Sequence, residues 1–233
     1  MASFIDLGGI VADVVRKDIK HVYFRVSATT GEVRISVPRR MSTDTIRVLA
    51  GDKLDWIRRQ QARVREHPPA APLRYVDGET HTVWGEPFTL AVRERNAPPE
   101  VVLEGNALQI LVRPGANEGK RRAVAEKWYR EQISAAVEPL LATWQPLMDV
   151  KVERLFVRRM KTRWGSCNYK AHTIRLNTEL ARKPPACLEY VVVHELVHLL
   201  EPSHNARFYA LMDRFMPDWR FHRKALNLSS IAG

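Results

Sequence analysis

A chain of 233 residues, 45% hydrophobic and carrying six Trp, six Tyr and seven Phe, has enough apolar side chain for a proper core, which excludes global disorder. Its length allows one large domain or two small ones. Lys and Arg outnumber Asp and Glu by 37 to 26, a formal charge of +11, so anionic substrates or partners are expected; charge alone does not choose among nucleic acid, nucleotide and acidic peptide. Two cysteines, Cys167 and Cys187, are too few for a disulfide framework, which points to a reducing compartment and a cytoplasmic protein. Met1–Asp18 lacks the basic start and unbroken apolar run of a signal peptide, and Tyr190–Leu200 is too short and too interrupted to span a membrane.

In chain order, Val22, Phe24, Val26 and then Val33, Ile35, Val37 alternate with polar residues around a Thr30-Gly31 turn, which predicts a β-hairpin. Ser42 or Thr43 caps one long helix to about Glu66, and His67–Pro72 stops it, because proline lacks the backbone donor. Alternation over Thr80–Trp84, Phe88–Arg93, Val101–Glu104 and Leu108–Val112 predicts an antiparallel sheet. The period then changes to that of a helix over Lys120 to about Trp144, so the boundary is set between 1–118 and 119–233. Strands follow at Val150–Arg158 and His172–Asn177, then a helix from Pro184-Pro185 to Leu200, a second capped by Ser203 and ending near Met216, and a third over Asp218–Leu226. No internal repeat is evident. The expected class is α+β: a β-rich N-terminal region with one long helix, then a C-terminal region of short strands and helices.

The chemistry concentrates in His194-Glu195-Leu196-Val197-His198, an H-E-x-x-H pattern inside a predicted helix. Residues four apart share one face about 6 Å up the axis, so two imidazoles can converge on one Zn²⁺. Glu195 lies off that line, where a general base can face water without taking a coordination site. The helix is apolar nearly all round, and burying two imidazoles and a carboxylate there without a partner costs several kcal/mol, on the order of 2–7 for each polar group. A metal supplies that partner. A hydrolytic zinc site needs a third ligand, and His204, just past the break at Glu201-Pro202-Ser203, is the candidate; Glu201 and His222 are its rivals. The same ten-residue offset occurs in metzincins, but Glu201 stands where those have glycine.

The segments Met160–Asn168, Ile174–Asn177 and Tyr190–Leu199, together with His204, resemble the YgjP-like metallopeptidases, relatives of SprT-like zinc proteins. The resemblance implies a zincin-type minidomain in the C-terminal region, with one Zn²⁺ per chain held by His194, His198 and His204 and with Glu195 catalytic. It implies no substrate.

Read without the family, Arg163–Cys167 is a corner anchored by Trp164, and Cys167 a small buried residue rather than a nucleophile. Val150–Leu176 holds eight basic residues against Glu153 alone, a net +7, read as a solvated face with an anion-binding role as the alternative. On the latter reading Arg158, Arg159, Lys161, Arg163 and Arg175 form a face toward the metal cleft, where Arg159, Lys161 and Arg163 share one side of a continuing strand with Arg158 on the other. Candidate substrate-binding residues are Arg163, Arg175, Asn177 and Tyr209, with the strand His172–Asn177 flanking the cleft; a second transition-state stabiliser is sought among Tyr209, His222, Arg163 and Arg175. The expected function is peptide hydrolysis by zinc-bound water with Glu195 as general base. The alternative is a metal-dependent nucleotide pyrophosphohydrolase acting on nucleoside triphosphates, and a nucleic-acid adaptor with structural zinc is a third, less favoured class. Partners are therefore a peptide or an anionic small molecule, and no membrane.

Overall fold

Strand alternation and helix capping build the molecule in two units, 1–71 and 72–233, and the structure, a computed structural model, describes residues 3–27, 30–66 and 73–228. The linker expected at His67–Pro72 lies outside the described residues.

The first unit has strands β1 (Ser3–Asp6), β2 (Val11–Lys17), β3 (Tyr23–Val26) and β4 (Val33–Pro38), then helices α1 (Thr43–Gly51) and α2 (Leu54–Glu66). The sheet order is β1-β2-β4-β3, with β2 and β4 parallel and the outer pairs antiparallel. Alternate residues Ala12, Val14, Val33, Ile35 and Val37 bury against Ile46, Ala50 and Ile57 of the helices. The β3–β4 hairpin matches its alternation. β1 and β2 were not anticipated, because few of their residues are both large and inward-facing. The single long helix is two helices: Ser42 accepts from the Thr45 amide to open α1, and the chain breaks after Gly51, a poor helix former, before α2 begins.

The second unit opens with β5 (Thr80–Val83), β6 (Glu86–Glu94), β7 (Glu100–Glu104) and β8 (Ala107–Val112), in the order β5-β6-β8-β7. Strand order and pair directions repeat those of β1–β4, and each block ends in helix, so a topological repeat exists that the sequence does not display. The expected antiparallel sheet thus contains one parallel pair, β6 with β8. Helix α3 (Glu118–Met148), opened by the Asn117 side chain on the Lys120 amide, lays Ala125, Tyr129, Ile133 and Val137 into the core. That core also takes Leu90, Leu108 and Ile110 from the sheet and Val192, Val193 and Leu196 from the later helix α4 (Pro185–Leu200). The boundary therefore lies at 71/72 and not at 118/119: β5–β8 have no separate core without α3 and α4.

Between these helices runs a three-stranded sheet, β9 (Arg154–Arg158), β10 (Gly165–Asn168) and β11 (Thr173–Asn177), in the order β10-β11-β9. Its inner face presents Leu155, Val157, Ile174 and Leu176 to the core. A 3₁₀ turn (Thr178–Arg182) leads into α4, and helices α5 (Ala206–Phe215) and α6 (Trp219–Leu228) follow. Among the described residues no helix is long and apolar enough to cross a membrane.

Candidate metal centre

Helix α4 is fixed at its start by proline and by a tight turn. Pro185 occupies the first helical turn, where a missing amide proton is harmless. The β5–β6 hairpin turns through Trp84 (φ 51°) and Gly85 (φ 92°), and the Trp84 amide donates to the Ala181 carbonyl at 2.7 Å. A Cβ on Gly85 would lie 3.1 Å from the Pro184 ring, so glycine serves here both the left-handed turn and the close approach. Tyr190, His194 and His198 then follow at one-turn intervals on one face. Beyond Leu200 the chain turns, and Asn205, not Ser203, caps α5 by accepting from the Phe208 amide at 3.0 Å.

The turn returns His204 to the two helical imidazoles. One nitrogen from each of His194, His198 and His204 lies within 4.8 Å of the others, and the Nε2 atoms of His194 and His204 are 3.1 Å apart. Ligand nitrogens about 2.0–2.1 Å from a tetrahedral ion stand roughly 3.3 Å from one another, so this spacing fits a metal. His198 directs Nδ1 to the Glu201 carbonyl at 3.2 Å, which leaves its Nε2 for the site. Burial, reinforced by the neighbouring imidazoles, lowers the His194 pKa to about 3, and burial likewise lowers those of His198 and His204, so the rings are neutral donors. Phe208, buried at 1% exposure, packs its ring 4.6–5.0 Å from all three imidazoles and forms a rigid floor.

Glu195 is 4% exposed, and its Oε2 has no hydrogen-bond partner. Burial pushes its pKa up to about 8 against the opposing charge of Arg163. An orphaned carboxylate oxygen beside three neutral imidazoles is the donor set a divalent ion and its water would complete. Room for Glu195 depends on β10: a Cβ on Gly165 would meet the Glu195 carboxylate and stand 2.8 Å from Val191 Cγ1. The corner expected at Arg163–Cys167 is thus partly a strand, and it is the edge of its sheet. Arg163 to Cys167 and Tyr169 form one wall of a cleft of about 490 Å³, whose other wall is Tyr190, Val191, the three histidines, Glu195 and Pro202.

Of the candidate substrate residues, only Arg163 lines this cleft. The strand His172–Asn177 was expected at its side; β11 is instead the middle strand, and it is β10 that lines the cleft. Asn177 is fully buried, and its amide donates to the Met160 and Arg163 carbonyls at 2.8 Å each, tying down the loop that carries Arg163. Arg175 points to the opposite face of the sheet from the cleft helix, its guanidinium 5.7 Å from the Phe156 ring centre. Tyr209 stacks on Trp219 behind His204. His222 pairs with Asp218 at 3.0 Å, and Glu201 accepts from the Ser203 amide, so neither joins the histidine cluster. The basic run is divided as well: β9 ends at Arg158, so Arg159–Arg163 do not alternate along a strand, and Arg159 pairs with Glu126 of α3. Sequence reasoning missed Tyr190 in the cleft, although its spacing of four from His194 was available as a signal. Burial pushes its phenol up to about 12, which keeps it a hydrogen-bond donor. Cys167 lines the cleft too, but burial, with Glu195 adding, pushes its thiol up to about 12, the opposite of the lowered value an activated nucleophile has.

A helix-borne pair of histidines with an adjacent buried glutamate, a third histidine returned by a turn and an open cleft beside an edge strand define the class of metal-dependent hydrolases. The YgjP-like, metallopeptidase domain family matches residues 20–229, and the chain belongs to that family. No curated protein matches the chain significantly. Among solved structures, the metallopeptidase zymogen of Pyrococcus abyssi abylysin is similar at 20% identity over 39% of this chain and 90% of that one, with a TM-score of 0.36. The metallopeptidase zymogen of Methanocaldococcus jannaschii jannalysin is similar at 20% identity over 41% of this chain and 93% of that one, with a TM-score of 0.34.

Proposed function

We propose that the chain is a zinc-dependent peptidase in which His194, His198 and His204 hold one ion and Glu195 is the general base. The observation that carries this reading is the convergence of three imidazole nitrogens within 4.8 Å beside a buried carboxylate with an unpartnered oxygen. When bound, the ion supplies Lewis acidity that makes water a nucleophile near neutral pH. Glu195 takes the proton of the attacking water and returns it to the leaving amine, and its raised proton affinity suits both transfers. The free edge of β10 offers backbone donors and acceptors along which an extended peptide adds as a further strand, and Tyr190 offers its phenol O–H to developing negative charge. Two free thiols, Cys167 and Cys187, suit a reducing, cytoplasmic setting.

The nucleotide pyrophosphohydrolase reading is favoured by one specific observation, the guanidinium of Arg163 in the cleft wall. Parallel turnover of the zinc-loaded protein on peptides and on nucleoside triphosphates separates the two. The peptidase reading expects peptide cleavage that Glu195→Gln abolishes while zinc content and fold persist, because the amide keeps the shape and accepts no proton. Turnover of triphosphates alone overturns it, and substantial activity in Glu195→Gln removes Glu195 from the mechanism.

A further inference from the structure

The outer face of the β10-β11-β9 sheet has a chemistry that the hydrolytic site does not use. Strand β9 alternates strictly: Arg154, Phe156 and Arg158 point outward and are exposed, while Leu155 and Val157 point into the core. Parallel pairing sets Arg175 of β11 directly beside Phe156 on the same face, and antiparallel pairing sets Ser166 of β10 beside Arg175. Phe156 is 43% exposed although it sits in a sheet, with the Arg175 guanidinium 5.7 Å from its ring centre. Among the described residues neither Arg154, Arg158 nor Arg175 makes an ion pair; the neighbouring Glu153 is taken by Lys151. Three unneutralised guanidinium groups around one exposed aromatic ring therefore crown a segment that carries net +7 of the chain's +11.

Phosphates alone would need the arginines but not the ring. A lipid surface would need more exposed apolar area than one Phe among arginines and Ser166. Duplex nucleic acid hides the faces of its bases, whereas a single strand presents a planar base and a phosphate at every step, and each base has a face that stacks on an aromatic side chain. Side chains two residues apart on a strand lie about 6.7 Å from each other, so Arg154 and Arg158 flank the ring of Phe156 at equal distances along β9. We propose that this sheet face binds single-stranded nucleic acid, with a base stacked on Phe156 and the adjacent phosphates held by Arg154, Arg158 and Arg175. The site is separate from the metal cleft, on the reverse of the strands whose inner face meets α4, so binding needs neither metal nor hydrolysis.

The test is fluorescence anisotropy of a labelled oligothymidylate titrated with the full-length protein at low and rising salt. Binding is expected with a log–log salt slope near −2, from about 0.7 counterions released at each of three phosphates. Phe156→Ala is expected to weaken binding about tenfold, Phe156→Leu, which keeps the apolar volume, nearly as much, and Arg154→Glu with Arg158→Glu and Arg175→Glu to abolish it. Arg58→Glu with Arg59→Glu and Arg65→Glu on α2 serves as a charge-matched control and is expected to leave affinity within about twofold. The proposal is overturned if the oligonucleotide does not bind, if both Phe156 variants bind as the wild type does, or if the α2 control loses as much as the sheet variant. Equal affinity for duplex, or binding to phosphatidylserine vesicles in place of the oligonucleotide, overturns it as well.

Discussion

Replacing Gly165 by alanine probes how closely the edge strand and the base are fitted. The added methyl would stand 2.8 Å from Val191 Cγ1 and 2.9 Å from Glu195 Cδ, with the carboxylate oxygen nearer still, whereas ordinary contact begins at 3.4 Å. Something must therefore move by at least about 0.6 Å. Val191 is buried in α4 and resists, so the strain falls on the Glu195 side chain or on β10. Overpacking of this kind costs about 1–3 kcal/mol, which for a unit the size of 72–233 lowers Tm by about 2–12 °C. Catalysis should suffer more than stability, because a misplacement near 1 Å lowers turnover by up to about a hundredfold. The expected result is kcat down at least about tenfold with zinc content unchanged, read by steady-state kinetics, thermal unfolding and metal analysis. A Gly165→Ala protein with wild-type kcat and Tm would refute the reasoning, and one that loses zinc but keeps its residual turnover per ion would redirect it to the histidines.

Metal analysis of the purified protein should give one zinc per chain, and His194→Ala, His198→Ala and His204→Ala should each weaken zinc by more than the roughly 10–100-fold typical of lost outer partners; an unchanged affinity in His204→Ala would exclude it as a ligand. Asn177→Ala leaves two carbonyls without their donor and releases the loop before Arg163, so KM should rise more than kcat falls, with about 1–3 kcal/mol lost in urea unfolding; Asn177→Asp should fail to rescue, since a carboxylate donates to neither carbonyl. Burial holds His81 below its ordinary 6.5, while the amides of Arg74 and Tyr75 and the His81 ring outweigh burial to hold Glu79 below its ordinary 4.5. Both groups bind more protons when unfolded, so the contribution of this pair to stability should be complete above pH 6.5 and fall as pH drops, through His81 first and then Glu79. A difference in urea midpoint between the wild type and Glu79→Gln that stays level from pH 7 to about 3 would contradict this linkage.

The parts of the fold that follow local periodicity were legible. The strands β3 to β8, the helix α3 and the metal helix α4 each carry a clear alternation or helical period, and His194, Glu195 and His198 have spacing that only a helix makes meaningful. What escaped depends on partners distant in sequence. β10 has no alternation of its own and becomes a strand because β11 pairs with it; the division at 71/72 depends on where β5–β8 find a core. Side-chain direction beyond the helices was equally hidden: Asn177 and Arg175 lie two apart on one strand, yet a loop folds over the first and leaves the second at the surface.

The doubled sheet topology bears on the order in which the chain acquires structure. Every pairing in β1–β4 and in β5–β8 joins strands close in sequence, the kind of contact that forms early because little loop entropy is lost. During synthesis at about 5–20 residues per second, the pairings of the first block can close when Glu66 emerges and those of the second when Val112 does, but the core of the second waits for α3 and α4. The metal helix follows last of these and supplies Val192, Val193 and Leu196 to that core. Its histidines are thus set in place by the same packing step that closes the core of the second unit.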